Sequence, residues 1–138
     1  MLTKTLTSLL LAAVGCAPVL AATPSPHGAE VFIVSPENGA TVSSPVKVEF
    51  GIKGMEVAPA GDQTANSGHH HLLIDTDLPA LDQPVPADDN YVHFGKGQTE
   101  TTVELPPGEH TLQLLLGDFS HIPHDPPVQS DKITITVE

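Results

Sequence analysis

Three consecutive imidazoles, His69, His70 and His71, open an apolar run that continues through Leu72, Leu73 and Ile74 to Asp75. Alternate residues of a strand share a face, so His69, His71, Leu73 and Asp75 point one way and His70, Leu72 and Ile74 the other. Two imidazoles at i and i+2 on one face are placed to share a cation. Neutral imidazole is a good ligand for zinc and for Cu(II), and the Irving–Williams order gives copper the edge, with zinc second. Further imidazoles stand at His93, His121 and His124. Asp118 and Asp125 flank the last two, as candidate ligands or as acceptors that fix an imidazole tautomer. Met55 offers a thioether, but its apolar setting reads as core. The sole cysteine is Cys16. A chain without it has no thiolate for a blue-copper site and no cysteine-built structural zinc.

The elements that must position these groups read as short strands at 30–34, 46–52, 69–75, 91–94, 98–105, 110–116 and 132–137. Val46, Val48 and Phe50 alternate with Lys47 and Glu49, so one face is buried and the other solvated. Asn38-Gly39 and Gly95-Lys96-Gly97 are turn signals, and 14 prolines argue against helices. Long connections follow at 51–68, 76–90 and 117–130, of the length that is often functional. The fold class expected is all-β, an immunoglobulin-like antiparallel β-sandwich of about seven strands. If each connection reverses the chain, the start of the third strand, the end of the fourth and the loop after the sixth meet at one pole. His69, His70, His71, His93, His121 and His124 then gather there, along with the loop carrying Met55, with His110 at the opposite pole.

Each histidine also has a plainer reading. His70 is in register with Leu72 and Ile74 and reads as a packed residue with a hydrogen bond. His110, in register with Leu112 and Leu114, reads as core or rim. His27 lies in a proline-containing leader and reads as solvated. His121 and His124 could serve only to bond loop carbonyls. Two classes of function follow. One is a metal-binding protein for sequestration or delivery, with His71, His93, His121 and His124 as ligands and His69 and Asp118 or Asp125 in support, although His69 also reads as a structural or solvated residue. The alternative is a non-metal envelope module that binds a partner protein or a glycan through its long loops. No HExxH, no Gly-x-Ser-x-Gly elbow and no phosphate loop occurs, so an enzyme is not expected.

The first 22 residues read as a secretory signal peptide: Lys4, an apolar run from Leu6 to Val14, then small residues with cleavage near Ala21 or Ala22. A lipidated Cys16 competes, but Ala13 stands where a lipobox usually has leucine. Residues 23–29 read as a flexible leader and 30–138 as the sandwich domain, exported to the periplasm or secreted. Without Lys4 the chain keeps four lysines and no arginine against 17 acidic residues, a formal charge of −13. Such a surface repels phosphate backbones, so nucleic acid is not an expected partner. No membrane span is expected once the leader is removed.

The phrases GHHHLLID (Gly68 to Asp75), YVHFGKGQTE (Tyr91 to Glu100) and HTLQLLLGDFSHIPHDPP (His110 to Pro127) closely resemble a family of bacterial secreted proteins, domain of unknown function 4399. The resemblance extends from about Glu30 to Glu138. Members sometimes carry the label of a rod-shape-determining protein, a polytopic membrane protein that nothing here resembles. The likeness implies an exported bacterial domain and no particular activity. Ser35 to Val42 (SPENGATV) is similar to the opening strand and turn of periplasmic copper-resistance proteins of sandwich fold. Those proteins ligate through a histidine at the mature amino terminus, whereas His27 lies several residues inside it.

Overall fold

The computed structural model describes residues 12–15 and 21–138. Lys4, most of the apolar leader and Cys16, on which the signal-peptide and lipidation readings rest, lie outside the described residues. Nine strands follow in order: β1 (Glu30–Ser35), β2 (Thr41–Val42), β3 (Val46–Lys53), β4 (Glu56–Val57), β5 (Ser67–Ile74), β6 (Tyr91–His93), β7 (Glu100–Val103), β8 (Gly108–Gly117) and β9 (Ile133–Val137). No helix occurs among the described residues, so none there is long and apolar enough to cross a membrane.

The strands form two sheets, one of order β1-β3-β7 and one of order β2-β9-β8-β5-β4 with β6 also paired to β5. The fold is an all-β sandwich. Seven strands correspond to the alternating runs of the sequence. The other two, β2 and β4, have two residues each and pair in parallel with β9 and β5, so the larger sheet is mixed rather than purely antiparallel. A two-residue strand cannot display a two-residue period, which is why neither shows in the pattern.

The core lies between the sheets. Val31, Val46, Val48 and Phe50 from one side meet Leu72, Ile74, Leu112, Leu114, Leu116, Ile135 and Val137 from the other. Lys47, on the solvated face of β3, makes only exposed ion pairs with Glu49 and Glu100. Strand β8 runs between β5 and β9 and buries Leu112, Leu114, Leu115 and Leu116 completely. On β5 the alternation divides the residues as expected. Leu72 and Ile74 enter the main core, while Leu73 joins Val85 and Leu115 in a smaller cluster on the outer face of the sheet. Met55 belongs to the main core.

Within segment 23–29, residues 23–25 lie docked against the loop after β8. Pro24 bridges Asp125, the Ser25 N–H donates to the Asp125 carbonyl (3.2 Å), and the Asp125 N–H donates to the Thr23 carbonyl (3.0 Å). Its prolines hold an extended course suited to lying along a neighbour. His27 is exposed in a turn.

His70 projects into the main core against Phe50, ring centroids 5.1 Å apart. It is packed, but neither ring nitrogen has a hydrogen-bond partner. Burial pushes its pKa from 6.5 down to about 4 and keeps the ring neutral. An unpartnered buried polar group costs about 1–3 kcal/mol. His70→Leu is therefore predicted to raise unfolding stability at pH 7 by about that amount. Because the folded pKa is depressed, the unfolded chain alone takes the proton between pH 6.5 and about 4, and stability falls with pH across that window. The advantage of the variant should widen at pH 5. Denaturant unfolding at the two pH values checks this, and a variant no more stable than the parent would contradict it.

A candidate metal centre of four histidines

Strand pairing brings three of the rings together. His69 and His71 share the outer face of β5, opposite the core face that carries His70. Antiparallel pairing of β6 sets His93 directly across from His71. Residues paired in this way have adjacent side chains, and the two ring centroids stand 5.2 Å apart. On the other side of β5, β8 places Gly117 opposite His69. A side chain at Gly117 would stand 2.6 Å from His71 Cε1, so this glycine makes the room the ring occupies. Gly95 does the same for the His93 ring. Neither role is visible in the sequence, where Gly95 reads as a turn residue and Gly117 as the start of a long connection.

The fourth ring comes from the loop after β8. Chain reversal there is tight: the His121 N–H donates to the Asp118 carbonyl (2.9 Å), and the Asp118 N–H to the Ile122 carbonyl (2.8 Å). His121 takes a left-handed backbone, φ +68°, which turns its ring back over β5. The long connection 75–90 closes over it, with the Val85 N–H donating to the His121 carbonyl (2.9 Å).

In the resulting site, His69 Nε2 lies 3.0 Å from His121 Nδ1 and 3.2 Å from His93 Nε2. One nitrogen of each of His69, His71, His93 and His121 falls within 4.8 Å of the other three, close enough for the four to hold one metal ion. A single imidazole nitrogen carries either one proton or one lone pair. His69 Nε2 therefore cannot satisfy two nitrogen neighbours at once in a neutral cluster. A cation resolves that conflict by accepting every lone pair. Tetrahedral ligands about 2.0–2.1 Å from zinc are about 3.3 Å from one another, close to the two shorter separations observed. Inside the cluster, His69 and His71 are buried, His121 is half-buried and His93 is exposed.

Electrostatics favour the neutral form of His69, His71 and His93. Burial, then the neighbouring His121 and His93 rings, push His69 down to about 4. Burial and the same kind of neighbours push His71 to about 3, and burial followed by His121 lowers His93. Neutral imidazole is the form that ligates. The Asp118 charge opposes these effects at His69.

Other residues expected at the site stand outside the four. His124 is buried, but its Nε2–H donates to the Ser67 carbonyl (3.1 Å), which directs the ring to the start of β5. The Asp118 carboxylate gathers its own loop: Oδ1 accepts from the N–H groups of Ser120 and Ile122 and from the Ser120 hydroxyl, and Oδ2 from the Thr23 hydroxyl. Burial raises its pKa, but these hydrogen bonds outweigh that effect and the net shift is downward. Asp125 is exposed and its backbone binds segment 23–25.

His110 sits at the far end of β5. Its Nδ1 lies 2.6 Å from Asp75 Oδ2 and its Nε2 2.8 Å from the Pro106 carbonyl. Both neighbours are acceptors, so the ring is a double donor, the imidazolium form. The Asp75 bond first, then the Pro106 bond, raise its pKa against the effect of burial. Proton titration by NMR is predicted to separate the two ends. His110 should titrate above 6.5, while His69 and His71 stay neutral until about pH 4 and about pH 3. The stabilisation from His110 is fully present below 6.5 and is lost as pH rises through its raised value. His69 and His71 have no such effect above 6.5, but stability falls as pH drops from there toward their depressed values, because only the unfolded chain takes up their protons. Asp75→Asn should return His110 toward 6.5, and a His69 or His71 ring titrating near 6.5 would contradict the clustered geometry.

The sequence profile of a family described as a domain of unknown function, DUF4399, matches residues 48–138. The match begins within β3 and takes in all four clustered histidines, leaving β1, β2 and segment 23–29 outside it. No curated protein and no solved structure matches the chain. With more than half of its length under that profile, the chain belongs to the DUF4399 family.

Proposed function

We propose that this protein is an exported binding protein for a transition-metal ion, copper first and zinc second, that sequesters or delivers its ion. The observation that carries the reading is the convergence of three ring nitrogens at 3.0 and 3.2 Å, with a fourth ring beside them. The donor set is neutral and nitrogen-only, which suits copper and zinc and not calcium or magnesium. Met55 is spent in the core, so no thioether joins the four. Four protein ligands fill a tetrahedral ion, whereas catalytic zinc sites keep a position open. That count supports a binding role rather than catalysis. The exposed edge at His93 gives an ion a route in and out. Had the rings lain apart, each bonded within its own loop, a histidine-stiffened recognition surface would have been the better reading.

Export rests on the basic and apolar leader. Amino-terminal sequencing of protein recovered outside the cytoplasm is predicted to give a start at Ala22 or Thr23, and a start at lipidated Cys16 would replace the soluble form with an anchored one. Calorimetric titration of the purified protein with Cu(II) and with Zn(II) tests the metal directly. Micromolar or tighter binding is expected, and saturation at 100 times Kd should add about 2.7 kcal/mol to unfolding stability. His71→Ala combined with His121→Ala should weaken binding at least tenfold. Binding no tighter than millimolar, or binding indifferent to the double substitution, would end the proposal.

A further inference from the structure

His121 is the one ring of the four that strand geometry does not deliver. It stands in a loop, on a left-handed backbone residue, and its Nδ1 approaches His69 Nε2 to 3.0 Å. Its placement depends on Asp118. Through backbone and carboxylate together, Asp118 engages the N–H groups of Ser120, His121 and Ile122 and the Ile122 carbonyl. Short side chains that collect nearby N–H groups in this way define the course of a turn.

With Oδ1 used inside the loop, the orientation of the carboxylate is set by what holds Oδ2. That partner is the Thr23 hydroxyl at 2.7 Å, 95 residues earlier in the chain. The same segment is fastened on the far side of the loop: Thr23 and Ser25 exchange backbone bonds with Asp125, and the Ser25 hydroxyl donates to the Pro126 carbonyl (2.6 Å). Residues 23–25 thus bracket the loop at both of its ends. Asp118 is also the carboxylate whose charge reaches His69, in a site with no acidic ligand of its own.

We propose that Thr23 is a positioning residue of the metal site. Its hydroxyl locks the Asp118 carboxylate, and through it the turn that sets the His121 ring against His69. The amino-terminal strap is then part of the binding apparatus, although it lies outside the region matched by the family profile. This rests on the metal-binding reading above. Groups that orient ligands from behind alter metal affinity by about 10–100-fold when removed.

The test uses the purified protein and Zn(II) alone by calorimetry, the Cu(II) visible and electron paramagnetic resonance spectra, and thermal unfolding of the metal-free protein. Thr23→Val should weaken Zn(II) binding about tenfold and change the Cu(II) spectrum, with the metal-free unfolding midpoint little altered. Thr23→Ser should restore affinity to within about twofold. Asp118→Asn should lose more than Thr23→Val, since it removes the nearby charge as well as the anchor. A Thr23→Val protein that matches the parent in affinity and spectrum overturns this inference and leaves metal binding standing. Loss of affinity that tracks a fall in the unfolding midpoint, and that Thr23→Ser does not repair, reduces Thr23 to a general structural role and overturns it too. A parent protein that binds Zn(II) and Cu(II) no tighter than millimolar overturns the metal reading, and this inference with it.

Discussion

Imidazole nitrogens turned toward one another, two of the four rings fully buried, are the constraint that the rest of this molecule must sustain. His69 Nε2 faces two other ring nitrogens, while the Nδ1 atoms of His69 and His71 are buried without a partner. Each unpartnered group is a cost that packing elsewhere must offset. The arrangement persists because every ring is held by something stronger than its own contacts. Two are fixed by β5, the third by cross-strand pairing with β6, and the fourth by a turn that Asp118 defines.

Strand β5 carries both requirements at once. Its inner face, with His70, Leu72 and Ile74, belongs to the core between the sheets. Its outer face, with His69, His71 and Leu73, carries the site and a smaller apolar cluster under the 75–90 connection. All eight of its residues are buried, which is unusual for a strand holding three histidines. Pairing to β8 on one side, and to β4 and β6 on the other, leaves its backbone polar groups engaged along the ladder. The core thereby supports a polar site without sharing atoms with it.

The two ends of β5 treat the same side chain in opposite ways. At one end, burial and mutual proximity keep imidazoles neutral, with a free lone pair as their most useful feature. At the other, Asp75 and the Pro106 carbonyl both accept from His110 and favour its charged form. What a histidine does here is decided by whether acceptors or other imidazoles surround it.

Much of this was written in the local sequence. The alternation from His69 to Asp75 set which rings share a face, because side chains in a strand repeat every two residues whatever the fold. Chain reversal at successive turns brought the start of β5, the end of β6 and the loop after β8 to one end. Local pattern could not separate His121 from His124, since both follow β8 in a proline-rich loop. The left-handed turn at His121 and the Ser67 carbonyl that takes His124 made that division. Nor could it show that Asp118 spends one oxygen on its own loop and the other on Thr23, that Gly117 clears space for His71, or that residues 23–25 lie docked rather than loose. These are contacts between segments up to about 100 residues apart. The sequence alone determined strand faces, turn positions and the kind of atoms on offer, which depend on neighbours along the chain. Tertiary structure alone decided which of those atoms meet, because that depends on neighbours in space.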